Sequence, residues 1–166
     1  MNNPFLETYN TPFQVPPFDQ IKNDHFMPGL EKAIEQARAQ IDQIVNNPES
    51  PSFTNTIVAM EESGELMEKV TSVLFNLNSA ETSDELQAVA RDASPMLSEF
   101  DNEIKTNEKL WSRIKAVYQN KASFNLDGEQ EMLLDKTYKS FIRSGADLQG
   151  DQKERYKEIS IELSKL

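Results

Sequence analysis

From about residue 24 onward, apolar side chains return every three or four positions. Leu30, Ala33, Ile34, Ala37, Ile41, Ile44 and Val45 line one helix face, and Asn46-Asn47-Pro48 ends it. A second stripe of Ile57, Met60, Gly64, Met67, Val70, Leu74 and Leu77 predicts one helix from near Thr54 to about Asn78. Thr82 followed by Glu85 has capping-box spacing and opens a third, with Leu86, Val89, Ala90 and Ala93. Pro95 either kinks that helix or starts a new one capped by Ser94. Leu97, Phe100 and Ile104 keep the phase, which favours a kinked continuation to about Lys105. Asn107 caps a shorter helix carrying Leu110, Trp111, Ile114, Val117 and Tyr118. Asp127 with Gln130 starts the next, which runs through Leu133, Leu134, Phe141 and Ile142 to Gly145. A last stripe from about Asp151 holds Tyr156, Ile159, Leu163 and Leu166.

No stretch alternates in the manner of a strand. The expected fold is all-α, a bundle of about six mostly antiparallel helices joined by short loops. The stripes recur at no fixed interval, so a helical-repeat array is unsupported. The first 22 residues differ: Pro4, Pro12, Pro16 and Pro17 alternate with Phe5, Tyr9, Phe13 and Phe18. Proline removes amide donors and extends its predecessor, which predicts an irregular arm. Its aromatic content argues against plain disorder, so the arm is expected to lie across something apolar. The division expected is an arm over 1–22 and a helical domain over 23–166.

Length and charge narrow the picture. A globule of 166 residues buries roughly 70% of its unfolded surface, enough for a real core. Seventeen basic against 28 acidic residues give a formal charge of −11, which disfavours nucleic acid and anionic membranes as partners. There is no cysteine, so disulfides and thiolate chemistry are excluded. No apolar run approaches the ~20 residues that span a bilayer. MNNPFLETYNTPF shows no secretion signal, so a cytoplasmic location is expected, with the periplasm open only if a leader has been removed.

Candidate chemistry is sparse. His25 is the only histidine; Asp24 as N-cap would put it at the first helical position, with Pro28 still in the first turn. A structural role at the helix entry is preferred over a base or a ligand. Catalytic zinc takes three protein ligands, mostly histidines, and the H-E-x-x-H motif needs two. No G-x-S-x-G elbow and no glycine-rich phosphate loop occurs. MEESGELMEKV places Glu61, Glu65 and Glu68 along one side, with Glu62 and Glu65 three apart. Opposite the Met60-Gly64-Met67 stripe these read as a solvated face rather than an acid–base pair. DLQGDQKERYKE, residues 147–158, lacks the pattern of a calcium loop. Trp111 and Tyr118 could form a stacking shelf, but they share phase with Ile114 and Val117 and are expected in the core. No catalytic, cofactor-binding or metal-ligating residue is assigned.

Three stretches nevertheless resemble a known family. The proline-aromatic arm leading into FMPGLEKAI, then FTNTIVAMEESGELM, then TYKSFIRSGADL are similar, in that order, to the N-terminal region of peptidyl-dipeptidases in the thimet-oligopeptidase family of zinc peptidases. The resemblance runs from Asn3 to Leu166. It implies a large helical enzyme whose two halves flank a deep channel and which releases C-terminal dipeptides from short peptides. It also implies zinc in the intact enzyme, held by H-E-x-x-H and a downstream glutamate beyond this chain, and none in the chain itself. No catalytic or metal residue carries over to any position here. The expected partners are the catalytic remainder of the parent chain and short peptides.

The apolar stripe still running at Leu166 fits a piece of a longer helix, although a plain C-terminal helix fits the pattern alone. The competing readings are a stand-alone peptide-binding or scaffold module and, less favoured, an enzyme working through clustered carboxylates without metal.

Overall fold

The structure, a computed structural model, describes residues 3–148, 150–152, 155, 156 and 159. The all-α expectation holds: no β-strand occurs among the described residues. The helices are α1 (Asn23–Val45), α2 (Ala59–Glu62), α3 (Glu65–Ala80), α4 (Asp84–Lys105), α5 (Glu108–Gln119) and α6 (Gly128–Arg143), with short 3-10 turns at Pro4–Leu6, Pro12–Gln14 and Lys121–Ser123. The sixth expected helix begins as read, since Asp151, Gln152, Arg155, Tyr156 and Ile159 are helical; Leu163 and Leu166 lie outside the described residues.

The residues cluster into two compact units, Met1–Asn46 with Val58–Phe100, and Asn47–Ile57 with Asp101–Leu166. The core of the first joins Phe26 and Leu30 of α1, Val70, Val73 and Leu74 of α3, and Leu86, Ala90 and Ala93 of α4. Phe5 enters the same cluster from the arm with none of its surface exposed. Its ring lies 5.1 Å from that of Phe26, in a tilted arrangement favoured by the ring quadrupoles. Gly29 makes room: a Cβ there would stand 3.4 Å from the Phe5 ring and 3.6 Å from the Asn3 side-chain nitrogen. In the second unit α5 packs on α6, burying Leu110, Trp111, Ile114 and Val117 on one side and Leu134, Thr137 and Phe141 on the other.

Several boundaries differ from the pattern-based expectation. The helix expected from Thr54 to Asn78 is three pieces: a π-helical stretch at Phe53–Val58, then α2, then α3. Ser63 and Gly64 break it. The Ser63 hydroxyl donates back to the Met60 carbonyl at 2.6 Å, and the Ser63 and Gly64 amides make tight bonds to residues three back. Apolar spacing cannot register such a break, because Ile57, Val70 and Leu74 are buried on either side of it. The third helix is capped by Ser83 rather than Thr82: Ser83 Oγ accepts from the Leu86 amide at 3.1 Å. Thr82 instead donates to Asn78 Oδ1. Pro95 lies inside one continuous α4, as the unbroken phase indicates.

Asn107 and Asp127 cap α5 and α6 as expected. The Asp127 carboxylate accepts from the amides of Glu129 and Gln130, and the Gln130 side chain accepts from the Asp127 amide. Gly145, at φ +77°, closes α6 with a left-handed turn in which the Ala146 amide donates to the Phe141 carbonyl. Ile142 is not on the buried stripe: it is exposed, because Leu134, Thr137 and Phe141 define the face and Ile142 sits one step round from it.

Phe5 fixes the arm energetically. Phe5→Ala should destabilise the chain by about 3–5 kcal/mol, the usual cost of emptying a buried aromatic site. Urea denaturation checks this, and an unchanged midpoint would show that the arm does not hold the body.

Candidate functional site

The arm and the start of α1 build the most feature-rich surface of the molecule. Asn3 is nearly buried; its side-chain amide donates to the His25 carbonyl at 2.8 Å, and its Oδ1 accepts from the Phe5 amide at 3.1 Å. One short polar side chain thus ties the chain start to the first turn of a helix more than twenty residues away. Farther along, the Lys69 ammonium of α3 donates to the Glu7 carbonyl and lies 3.9 Å from the centre of the Tyr9 ring. Burial holds the Lys69 amine below the usual lysine range and pushes the Tyr9 phenol up. The Tyr9 hydroxyl is buried without a hydrogen-bond partner.

Two hollows flank this clamp. One, of about 540 Å³, lies among Pro4, Tyr9, Thr11, Lys22, Asp24 and His25. The other, of about 740 Å³, lies among Leu6, Gln14, Lys32, Gln36, Glu65 and Lys69. Both are open and mixed in polarity.

His25 stands at the edge of the first hollow, and its ring is already committed. Helix α1 starts at Asn23, two residues earlier than expected, so Asp24 is not the cap and His25 is the third helical residue. The Lys22 amide donates to His25 Nδ1 at 3.1 Å, while the His25 amide donates to the Lys22 carbonyl at 3.0 Å. The imidazole therefore plays the part a glutamate or glutamine plays in a capping box. Accepting at Nδ1 places the ring proton on Nε2, which faces Asp24 Oδ1 at 3.9 Å. Pro28 falls beyond the first turn and withholds the amide that the Asp24 carbonyl would otherwise receive within the helix.

The implied zinc does not fit here. Among the described residues no group of three histidine, aspartate or glutamate side chains stands close enough to hold a metal ion, and the one imidazole spends a ring nitrogen on the helix cap. The acidic residues are solvated as expected: Glu61 and Glu62 of α2 and Glu65 and Glu68 of α3 are all exposed, while Val70 and Leu74 of α3 are buried. Trp111 and Tyr118 do not stack on one another. Tyr118 stacks on Tyr138 with centroids 3.8 Å apart, and Trp111 lies parallel to Phe141 at 6.1 Å. They belong to the packing of α5 on α6. In the 147–158 segment, Asp147 pairs with Lys115 at 2.6 Å.

Three features escaped the sequence reading. Arg113, on the apolar stripe of α5, is buried and donates to the carbonyls of Asn47 and Glu49 and to Asn55 Oδ1 at 3.0–3.3 Å. Asn55 Oδ1 also accepts from the Ser52 amide, so one guanidinium fork organises the loop ahead of the π-helical stretch. The Lys69–Tyr9 clamp joins residues far apart in sequence, and spacing gives no signal of it. The third is the arm's distal turn at Pro12–Gln14, where Phe13 and Gln14 take positive φ.

Comparison with known proteins supplies what the geometry lacks. No family model matches the chain. It is 40% identical over 164 residues to dipeptidyl carboxypeptidase of Salmonella typhimurium and, to the same degree, to that of Escherichia coli; 99% of this chain and 24% of each relative are covered. Oligopeptidase A of Haemophilus influenzae is 30% identical over 167 residues, covering the whole chain and 24% of that protein. The chain thus spans about a quarter of the length of the curated relatives it matches. The resemblance read from the three motifs is borne out across the whole chain, which is related to these peptidases.

His25→Ala removes the amide acceptor at the α1 entry and opens a small void beneath the arm, so a loss of about 1–3 kcal/mol is expected. Thermal melts of the two proteins with and without zinc check both sides of the assignment, since zinc should move neither midpoint. A pH dependence follows from Asp147. A hydrogen bond from Lys115 holds its carboxyl below the usual range and leads the causes of the shift. A carboxyl lowered in the folded state stabilises fully above its unfolded pKa, and the contribution is lost as pH falls through the folded value. Asp147→Asn should therefore be less stable than the parent at neutral pH, the gap closing in acid, as urea midpoints across that range would read.

Proposed function

We propose that this chain is the noncatalytic N-terminal helical part of a zinc-dependent peptidyl-dipeptidase or oligopeptidase, with the arm over 1–22 and the helical body over 23–166. The observation that carries the reading is 40% identity across 99% of the chain to dipeptidyl carboxypeptidases of which it spans only 24%. The intact enzyme, in this reading, hydrolyses short peptides and releases C-terminal dipeptides, with zinc and its ligands in the remainder of the polypeptide. The partners are that remainder and the peptide substrates, and the enzyme works in the cytoplasm. No helix among the described residues is long and apolar enough to cross a membrane.

The role left to this part is steric. Its helices form a section of the substrate-channel wall, admitting flexible short peptides and excluding folded chains. A wall needs rigidity and a hydrated polar face, and an acidic solvated surface over a packed core meets that need. Rigidity comes from the arm, whose Asn3 and Lys69 hydrogen bonds fasten it to α1 and α3.

Two measurements test the reading. The native open reading frame should continue past Leu166 and encode H-E-x-x-H; a stop codon there would favour a stand-alone module. The 166-residue chain alone, offered short peptides with added zinc, should release no dipeptide in a chelator-sensitive manner, whereas the full-length enzyme should.

A further inference from the structure

The arm is two structures rather than one. Its first part is buried against the helices, with Phe5 wholly enclosed. Its second part, around the 3-10 turn Pro12–Gln14, turns its apolar side chains outward. Phe13 is 99% exposed, and Val15 and Phe18 are about half exposed. A phenylalanine with its whole ring in water is the reverse of what folding favours.

This turn is also held in an unfavourable shape. Phe13 has φ +57° and Gln14 φ +55°, two successive non-glycine residues in the left-handed region. Such backbone is costly and persists only where its surroundings enforce it. The enforcement is visible. The Gln14 amide donates to the Thr11 carbonyl at 3.0 Å, the Val15 amide to the Pro12 carbonyl at 3.3 Å, and the Thr11 hydroxyl to the Val15 carbonyl. Pro12, Pro16 and Pro17 restrict the flanks. Beyond them the Phe18, Gln20 and Ile21 amides donate to the Pro16 and Pro17 carbonyls, and Ile21 returns to the core. The turn is therefore preorganised to present a ring, which lowers the entropy lost on docking.

We infer that Phe13, supported by Val15 and Phe18, is a knob that inserts into an apolar, ring-sized recess on the portion of the same polypeptide that follows residue 166, fastening this helical part to the remainder of the enzyme. The inference rests on the proposed function, because it requires that remainder to exist. Area and charge select the occupant. Three side chains fall far below the roughly 1,600 Å² that a stable complex of separate proteins buries, so the contact suffices only between tethered parts. Two copies of a chain carrying −11 repel one another, and so does an anionic membrane. The relatives are about four times as long as this chain, so most of their polypeptide is available to supply the recess.

The test uses the full-length protein. A photoreactive benzoylphenylalanine replaces Phe13, and the cross-linked peptides are mapped after irradiation. Attachment to peptides beyond residue 166 is expected. Phe13→Gly is the second arm: it relieves the left-handed backbone yet deletes the ring, so the full-length melting temperature should fall despite the relief. Attachment only within residues 1–166, attachment only to a second copy, absence of attachment, or a Phe13→Gly melting temperature that rises or stays unchanged would each overturn the knob while leaving the proposed function intact. A reading frame that ends at Leu166 would remove both.

Discussion

Burial of Phe5 between α1 and α3 is the constraint from which the rest of the arm takes its position. A proline-rich segment makes few backbone hydrogen bonds of its own, so something else must offset the entropy of ordering it. Here a wholly enclosed ring supplies the apolar term, while Asn3 on one side and Lys69 on the other anchor the backbone around it. These anchors bind backbone carbonyls at His25 and Glu7, so they fix the path of the chain rather than the rotamer of a side chain. With residues 3–9 pinned and Ile21 back at the core, the intervening turn is held at both ends: Gln14 and Pro16 border a hollow over α1 and α3, while Phe13 faces out.

The same economy explains the only histidine. The His25 ring accepts the Lys22 amide while the His25 backbone carbonyl accepts the Asn3 side chain, so one residue joins the arm, the helix entry and the chain before it. Taking it for catalysis or for a metal would undo the cap and loosen the arm. The sequence offers no second imidazole and no thiol to share such work, and the carboxylates of α2 and α3 point into solvent. In the proposed enzyme the division of labour is then physical: this part holds shape, and the chemistry lies where the ligands are.

Much of the fold was legible because amphipathic helices advertise themselves. The stripes of α1, α4 and α5 match the buried residues closely, and the caps at Asn107 and Asp127 are side-chain choices visible in the sequence. What was not legible had no periodic signal. Spacing continued in phase through Ser63 and Gly64, so the break between α2 and α3 stayed hidden in a stripe that remained apolar. At Thr82-Ser83 two adjacent hydroxyl residues compete for one cap, and only the exit path of α3, where Thr82 is taken by Asn78, decides between them. At Lys22 the cap is made by backbone and by a histidine ring, a combination no capping motif describes. Arg113 sat on an apolar stripe, where a charge reads as an interruption; its partners are carbonyls of a loop more than sixty residues earlier in the chain. The resemblance to peptidases was legible in the order of three motifs instead, and not in any catalytic signature.

The distal turn also accounts for why the arm is rich in both proline and aromatics. Disordered segments keep proline and shed aromatics, and core segments do the reverse. A segment carrying both is suited to neither a solvated tail nor a core strand. It fits a rigid spacer that spends one ring inward and displays another outward, with prolines setting the separation between them. Phe5 and Phe13 divide in this manner on either side of the Lys69–Tyr9 clamp, and the clamp is what keeps the two roles apart. Lys69 stands on α3 rather than on the arm, so the outward ring is referenced to the rigid body of the helices. That is the geometry a docking element needs if two parts of one polypeptide are to meet in a single orientation.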